Sequence, residues 1–220
     1  NVIEAGTLLA TYVQGEHPEI GYITVNGLIK DWTKDSPGIL DKAGVRSILD
    51  ARFQKRGIKI FGIVSLGSNL SIFTKDKHIK TLEDLKGIKT RGAGGMWDVF
   101  MRNFGATVVS MPVADVAMAV QTGVVDAVFS SVDAGGLGFK FYEPLPYVTW
   151  LQDGVGPYMM LMGMSLKTWN ELPKEYQDAI NRVAPDVEAW EVPYHLDFIQ
   201  QAVDELGKRG AKVYALPKAE

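Results

Sequence analysis

The sequence contains no cysteine, which excludes disulfide bonds and metal sites built on cysteine. Histidine is scarce as well. His17, His78 and His195 lack the spacing of a metal site and stand in polar stretches, so each is predicted to be a surface residue. No apolar run approaches the roughly 20 residues of a membrane-spanning helix, and no signal peptide is visible. We therefore expect a mature or truncated chain that does not insert into a membrane.

The sequence signatures of common enzymes are also missing. There is no Gly-x-Ser-x-Gly elbow, no phosphate-binding loop and no dinucleotide fingerprint. The net charge of -3 and the isoelectric point of about 5.7 offer nothing that attracts nucleic acid. These absences predict a protein that is not an enzyme, has no cofactor and has no nucleic-acid partner. An acidic protein that binds an anion needs a local cation, so one well-placed arginine is informative.

The sequence does contain alternating helical and strand patterns. With 46% hydrophobic residues among 220, the chain can bury one large core or two smaller ones. Helices are predicted at residues 41–55, 95–104, 113–121, 173–184 and 187–206, the last with a kink at Pro193. Strands are predicted at residues 58–64, 71–73, 88–91, 107–110, 124–129, 158–164 and 212–216. This order predicts an α/β fold.

A candidate anion site follows the strand predicted at residues 88–91. Arg91 closes that strand, where open α/β sheets bind ligands, and Gly92, Gly94 and Gly95 lead into the next helix. Arginine offers parallel donors to a carboxylate, and helix amides near Gly95 add positive potential. The alternative is that Arg91 forms a surface salt bridge and the glycines only make a turn.

Other candidates surround this site in the sequence. Ser130 and Ser131 follow the strand predicted at 124–129 and offer hydroxyl groups; the alternative is a helix cap or a turn. Trp97 and Phe129 are candidates to contact a ligand. The aromatic residues that can line an apolar pocket, most of which we expect to be core, are Trp97, Phe129, Phe141, Tyr142, Trp150 and Trp169.

Four ordered segments resemble a known family. They are Leu-Lys-Gly-Ile-Lys-Thr-Arg at 85–91, Phe-Gly-Ala-Thr-Val-Val-Ser-Met-Pro-Val-Ala-Asp-Val at 104–116, Ala-Val-Gln-Thr-Gly-Val-Val-Asp-Ala at 119–127, and Trp-Asn-Glu-Leu-Pro-Lys-Glu at 169–175. Together they resemble the dicarboxylate-binding (DctP-like) solute-binding proteins of tripartite ATP-independent periplasmic (TRAP) transporters. The resemblance runs through the whole chain.

The resemblance implies a two-lobed α/β fold of the type II periplasmic-binding kind, with a hinge and a long bridging helix. Residues 1–69 and 156–190 would form lobe one, and 70–155 lobe two, with 191–220 bridging to lobe two. The family begins with further elements and ends with a C-terminal helix, so we expect a longer native protein. In the family the signature arginine, here Arg91, pairs with the ligand carboxylate. Ser71 and Asn69 are further candidates to bind the ligand. Ser71 and Ser130 stand where relatives often carry other residues, so the particular acid stays open.

The same resemblance implies a function in bacterial transport. The protein would capture a small organic acid in the periplasm, close on it and pass it to a TRAP membrane permease. Two alternatives remain: a sensory ligand-binding domain of a receptor, and an enzyme built on a periplasmic-binding fold. No metal ion is expected in the site, although the sequence leaves open whether one bridges ligand and protein.

Overall fold

The structure is a computed structural model that describes residues 3–24, 43–65, 70–92, 94–152 and 159–217. The chain forms two compact units. The first comprises Asn1–Gly67 and Gly156–Leu196, and the second comprises Ser68–Val155 and Asp197–Glu220. Within the described residues, no helix is both long and apolar enough to cross a membrane. The predicted α/β class is confirmed, while the predicted lobe boundaries and hinge stay predictions.

The first unit contains a three-stranded antiparallel sheet of β1 (Ala5–Leu9), β2 (Ile58–Ser65) and β8 (Met159–Ser165), with β8 in the centre. The helices of this unit are α1 (Gly21–Thr24), α2 (Val45–Gln54), α5 (Leu166–Glu171) and the first part of α6 (Lys174–Lys208), with short 3-10 turns at Ala10–Val13 and Pro18–Ile20. Leu49 and Phe53 of α2 pack on the sheet with Ile63, Met159 and Leu161 to form the core of the unit.

Acidic side chains of α6 accept hydrogen bonds from backbone amides at the outer edge of β2. Glu188 and Glu191 on α6 accept hydrogen bonds from the amides of Ile63 at 2.7 Å and Ser65 at 3.0 Å. Arg46 pairs with Glu188 at 2.5 Å. Burial, more than the neighbouring Glu188 charge, raises the pKa of Glu191 to about 7, against the opposing effect of the Ser65 hydrogen bond. Carboxylates along an edge strand also discourage pairing with other chains.

The second unit contains a six-stranded mixed sheet in the order β5-β4-β6-β3-β7-β9. Its strands are β3 (Leu70–Thr74), β4 (Lys89–Gly92), β5 (Thr107–Ser110), β6 (Ala127–Ser131), β7 (Tyr147–Trp150) and β9 (Lys212–Ala215). β4 runs parallel to β5 and β6, whereas β3 runs antiparallel to β6 and β7. The sheet therefore mixes both strand directions around β6.

Helices flank this second sheet. They are α3 (Gly95–Asn103), α4 (Val116–Gln121) and the last part of α6, with 3-10 turns at Leu82–Leu85 and Val113–Asp115 and a π-helix at Val132–Gly138. Ile199 and Leu206 of α6 pack with Phe73 and Val128 of the sheet, which makes the core of the unit. Thr81 and Asp84 form a capping box at the start of the turn at Leu82–Leu85. The Asp84 carboxylate accepts hydrogen bonds from the amides of Lys80 and Thr81, which together with Lys77 lower its pKa to about 2.

Several predicted elements need correction. The strand predicted at 124–129 is displaced to Ala127–Ser131, because the amides of Val124 and Val125 donate to the carbonyl of Ala119 and belong to the turn after α4. Ser130 and Ser131 therefore lie within the strand and not after it. The two helices predicted at 173–184 and 187–206 form one helix of 35 residues that continues through Pro185 and Pro193.

Trp97, Asp98 and Met101 are the buried residues of α3, whereas the apolar Met96 and Val99 are about half exposed.

His17 and His195, predicted at the surface, are buried. His17 stacks on Phe53 with 4.2 Å between the ring centroids, and Nδ1 of His195 lies 4.0 Å from Oε1 of Glu191. Aromatic stacking for one ring and packing beside a carboxylate for the other explain their burial.

Candidate functional site

The strands of the second sheet bring four of the predicted ligand-binding residues, Ser71, Arg91, Ser130 and Ser131, to one end of it. β4 and β6 are parallel and both finish there, at Gly92 and Ser131. β3 is antiparallel to β6 and begins there at Leu70, and β7 finishes there at Trp150. We call this region the Arg91 end of the sheet. Carboxyl ends of strands in α/β sheets are where ligands commonly bind.

The strand register divides the predicted residues between two faces of the sheet. Arg91 pairs with Val128, two residues before Ser130, and Ser130 pairs with Ser71. Because side chains alternate along a strand, Arg91, Ser130 and Ser71 share one face.

Phe129 lies on the opposite face, where Trp97 of α3 stacks on it with 4.8 Å between the ring centroids. Both aromatic side chains are buried. The predicted aromatic candidates and the predicted polar candidates are thus close in sequence but not on the same face. The assignment of all these residues to a ligand stays a prediction.

Arg91 is held firmly at this end of the sheet. Its side chain is buried, and Nε donates to the carbonyl of Met111 at 3.3 Å, just beyond β5. Burying a guanidinium is costly unless carbonyls or anions accept its hydrogen bonds. The buried position of Arg91 therefore favours a role in binding an anion over a role in surface solubility. The alternative of a surface salt bridge at Arg91 is wrong, because the residue is only 2% exposed.

The glycine turn after Arg91 surrounds a carboxylate of the chain itself. Oδ1 of Asp98 accepts the amide of Gly94 at 2.9 Å, and Oδ2 lies 3.4 Å from the hydroxyl of Ser110. A methyl group added at Gly92 would overlap this carboxylate, which explains the glycine there. The amide of Gly94, expected to attract a ligand anion, is therefore occupied by Asp98.

Asp98 was missed by sequence reasoning. The sequence signal for this role was an acidic residue in the first turn of a helix that follows a glycine turn. Such a residue is attracted to the free amides at the start of the helix.

The serine residues of the set differ in their hydrogen bonding. Ser131 Oγ accepts the amide of Gly135 in the π-helix at 3.3 Å, which confirms the capping alternative for this residue. Ser130 packs against the same helix, since a methyl group at Gly135 would overlap its hydroxyl. Ser71 is fully buried, and its hydroxyl has no hydrogen-bond partner among the described residues.

Two further points concern the predicted set. Asn69 lies outside the described residues. Among the residues that the structure describes, no group of three or more His, Asp or Glu side chains is arranged to hold a metal ion. The expectation that no cofactor or metal takes part stays a prediction.

Comparison with known proteins places this arrangement in a class of binding proteins. The chain belongs to family 7 of the bacterial extracellular solute-binding proteins (DctP), whose model matches residues 3–220. The resemblance drawn from the four sequence segments is confirmed.

Individual relatives agree with the family. A solute-binding protein of Albidiferax ferrireducens is 29% identical over 210 residues, which are 94% of this chain and 60% of the relative. A monocarboxylate 2-oxoacid-binding periplasmic protein of Nostoc sp. is 27% identical over 184 residues, 80% of this chain and 48% of that protein. The chain thus spans about half to three fifths of the length of these relatives.

A solved structure supports the fold. The extracytoplasmic solute receptor DctP7 of Bordetella pertussis, which binds pyroglutamic acid, superposes with a TM-score of 0.84 at 22% identity, covering 99% of this chain and 70% of that chain. At this identity the similarity establishes the fold and not the ligand.

Proposed function

We propose that this protein is the solute-binding component of a TRAP-type transporter, which captures a small organic acid through Arg91. The observation that carries the proposal is the buried guanidinium at the carboxyl end of β4, fixed by its bond to Met111. Arginine binds a carboxylate through two parallel hydrogen bonds, and a partly desolvated site strengthens such bonds.

The relatives support an organic acid as the ligand class. The Nostoc relative is named for binding monocarboxylate 2-oxoacids, and DctP7 binds pyroglutamic acid, which is also a carboxylic acid. Both ligands present the group that Arg91 is suited to hold.

Location and partner follow from the family. The members are extracellular solute-binding proteins, so we infer that this protein works in the periplasm of a bacterium and delivers its ligand to a membrane permease. Its role in that process is binding and release without catalysis.

A thermal-shift screen against organic acids tests the proposal. A ligand at 100 times its dissociation constant adds about 2.7 kcal/mol to stability. For a protein of this size that corresponds to a rise in melting temperature of about 5–10 °C. If no acid in a broad panel stabilises the protein, the proposed function is wrong.

Calorimetry on variants tests the assigned role of Arg91. Arg91→Ala should abolish binding of the acid found in the screen, and Arg91→Lys should bind it weakly, because lysine keeps the charge but loses the paired donors. Arg209→Gln is the matched control, since Arg209 is 44% exposed and its Nε pairs with Glu205 at 2.8 Å. Affinity near the wild-type value in Arg91→Ala would exclude Arg91 as the anchor.

A further inference from the structure

Two buried polar atoms at the Arg91 end of the second sheet have no hydrogen-bond partner among the described residues. They are Oγ of Ser71 and Nε1 of Trp150. Folded proteins pair nearly all buried polar groups, and each exception calls for an explanation. Here the two exceptions are neighbours, because Ser71 and Trp150 are directly opposite each other on β3 and β7.

Both residues lie on the same face of the sheet as Arg91. Ser130, Ser71 and Trp150 form one row across β6, β3 and β7, and Arg91 is in the adjacent row through its partner Val128. Neighbouring strands lie about 4.8 Å apart, so β3 is about 10 Å from β4. An arginine side chain and a small organic acid together span this distance.

The chemistry of the two atoms defines what they can bind. The indole N–H of Trp150 is a donor only, whereas the hydroxyl of Ser71 can donate or accept. Directly opposed residues in an antiparallel pair have Cβ atoms about 5 Å apart, so one oxygen atom can reach both side chains. The missing partner is therefore an oxygen acceptor.

The charges around Ser71 and Trp150 indicate which kind of ligand oxygen can bind to them. The row of Ser130, Ser71 and Trp150 contains no cation. The next row toward the sheet interior begins with Arg91 and continues with the apolar Val128, Phe73 and Val148, so Arg91 is the cation of these two rows. Because Arg91 is the anchor of the first carboxylate, a second carboxylate beside Ser71 and Trp150 would be buried without a counter-charge of its own, which is strongly unfavourable. A hydroxyl or a carbonyl oxygen has no such cost.

We propose that Ser71 and Trp150 form a neutral subsite that binds a hydroxyl or oxo oxygen of the ligand, so that the protein selects substituted monocarboxylic acids over dicarboxylic acids. This inference rests on the proposed function, because it takes Arg91 as the anchor of the single carboxylate. It adds the residues that discriminate among acids and the class of acid they favour.

Calorimetry with matched sets of acids tests the subsite. Each set, with three to six carbons, contains the unsubstituted monocarboxylic acid, its 2-hydroxy and 2-oxo derivatives, and the dicarboxylic acid of equal length. We expect the tightest ligand to carry a hydroxyl or oxo group. Ser71→Ala and Trp150→Phe should each weaken it about tenfold, the effect of one hydrogen bond, and should change the affinity for the unsubstituted acid less than twofold.

The melting temperature of the ligand-free variants gives a second readout. Ser71→Ala removes a buried hydroxyl that has no hydrogen-bond partner in the described part of the chain, so it should leave the melting temperature unchanged or raise it while affinity falls. A residue with a merely structural role would lose both stability and affinity. Trp190→Phe is the control for the loss of an indole group, because Trp190 is 60% exposed and belongs to the first unit.

The outcomes separate this inference from the proposed function. A dicarboxylic or unsubstituted acid as the tightest ligand would overturn the neutral subsite, and so would variants that discriminate as well as the wild type. In those cases Arg91-dependent binding of acids would still stand. Failure to bind any acid would overturn both proposals.

Discussion

Replacing Glu191 by glutamine should alter how the stability of the protein depends on pH. The side chain of Glu191 is 12% exposed, and Oε2 accepts the amide of Ser65 at 3.0 Å. Oε1 is buried without a hydrogen-bond partner among the described residues. Glutamine keeps an acceptor for Ser65 and carries no charge, so the substitution isolates the cost of ionising this carboxyl group.

The direction follows from the raised pKa of Glu191, about 7 in the folded protein against 4.5 for the free side chain. Between these values the folded state holds a proton that the unfolded state has lost, so stability falls as the pH rises. The protonated carboxyl contributes its full stability below pH 4.5, and that contribution is gone above pH 7.

The size of the effect follows from the same two values. A difference of about 2.5 pH units at 1.36 kcal/mol each sets an upper limit of about 3 kcal/mol. Screening by solvent reduces this, and we expect about 1–2 kcal/mol. Glu191→Gln should match the wild type near pH 4.5 and exceed it by this amount at pH 8. The corresponding difference in melting temperature is about 2–8 °C.

Thermal melts from pH 4.5 to pH 8 are the assay. Nδ1 of His195 lies 4.0 Å from Oε1 of Glu191, so the comparison is repeated in a His195→Gln background to isolate the effect of Glu191. Glu171→Gln is the matched control, since Glu171 is 65% exposed and should give no difference. Parallel profiles for the wild type and Glu191→Gln across the whole range would refute the reasoning.

Three further substitutions test the packing. Gly92→Ala introduces a methyl group that overlaps the Asp98 carboxylate and should cost about 1–3 kcal/mol, so a melting temperature equal to the wild type would contradict the described turn. Arg46→Ala leaves the nearly buried Glu188 without its cation and should cost about 3 kcal/mol in denaturant unfolding, more than Arg46→Lys does. Phe53→Ala empties a site that is 1% exposed and should cost about 3–5 kcal/mol; a loss below 1 kcal/mol in the same assay would argue against a packed core there.

Local sequence patterns predicted the ends of a strand well where turn residues flank the strand. β5 has the predicted bounds, because two valines stand between the left-handed Gly105 and Pro112. β6 was misplaced by three residues, because the apolar pair at Val124 and Val125 resembles the start of a strand. The hydrogen bonds to Ala119 assign that pair to a turn, and the hydropathy pattern cannot predict those bonds.

The long helix shows tertiary contacts prevailing over local preference. Pro185 and Pro193 each remove a hydrogen bond and favour a break, which led to a prediction of two helices. The helix nevertheless continues for 35 residues. Glu188 and Glu191 bond to the edge of β2, and Leu206 packs in the core of the second unit, so contacts along its length offset the local cost.

The candidate site was predictable only in part. Arg91 could be predicted because its charge, its place at the end of a strand and its sequence motif all indicate a ligand-binding residue. The unsatisfied hydroxyl of Ser71 and indole of Trp150 were invisible in the sequence, since they depend on the pairing of β3 with β7, whose residues are more than 70 positions apart. Patterns within one element cannot specify such a register.

The central position of β8 has a consequence for biosynthesis. β1 and β2 both pair with β8, and neither pairs with any other described strand. A ribosome makes β1 and β2 long before it reaches residues 159–165, and the intervening chain includes five of the six strands of the second sheet. The sheet of the first unit therefore stays incomplete until residues 159–165 are made, although two of its three strands exist long before, and these two strands must wait for their shared partner. Holding such strands apart until late in synthesis is a task suited to a chaperone.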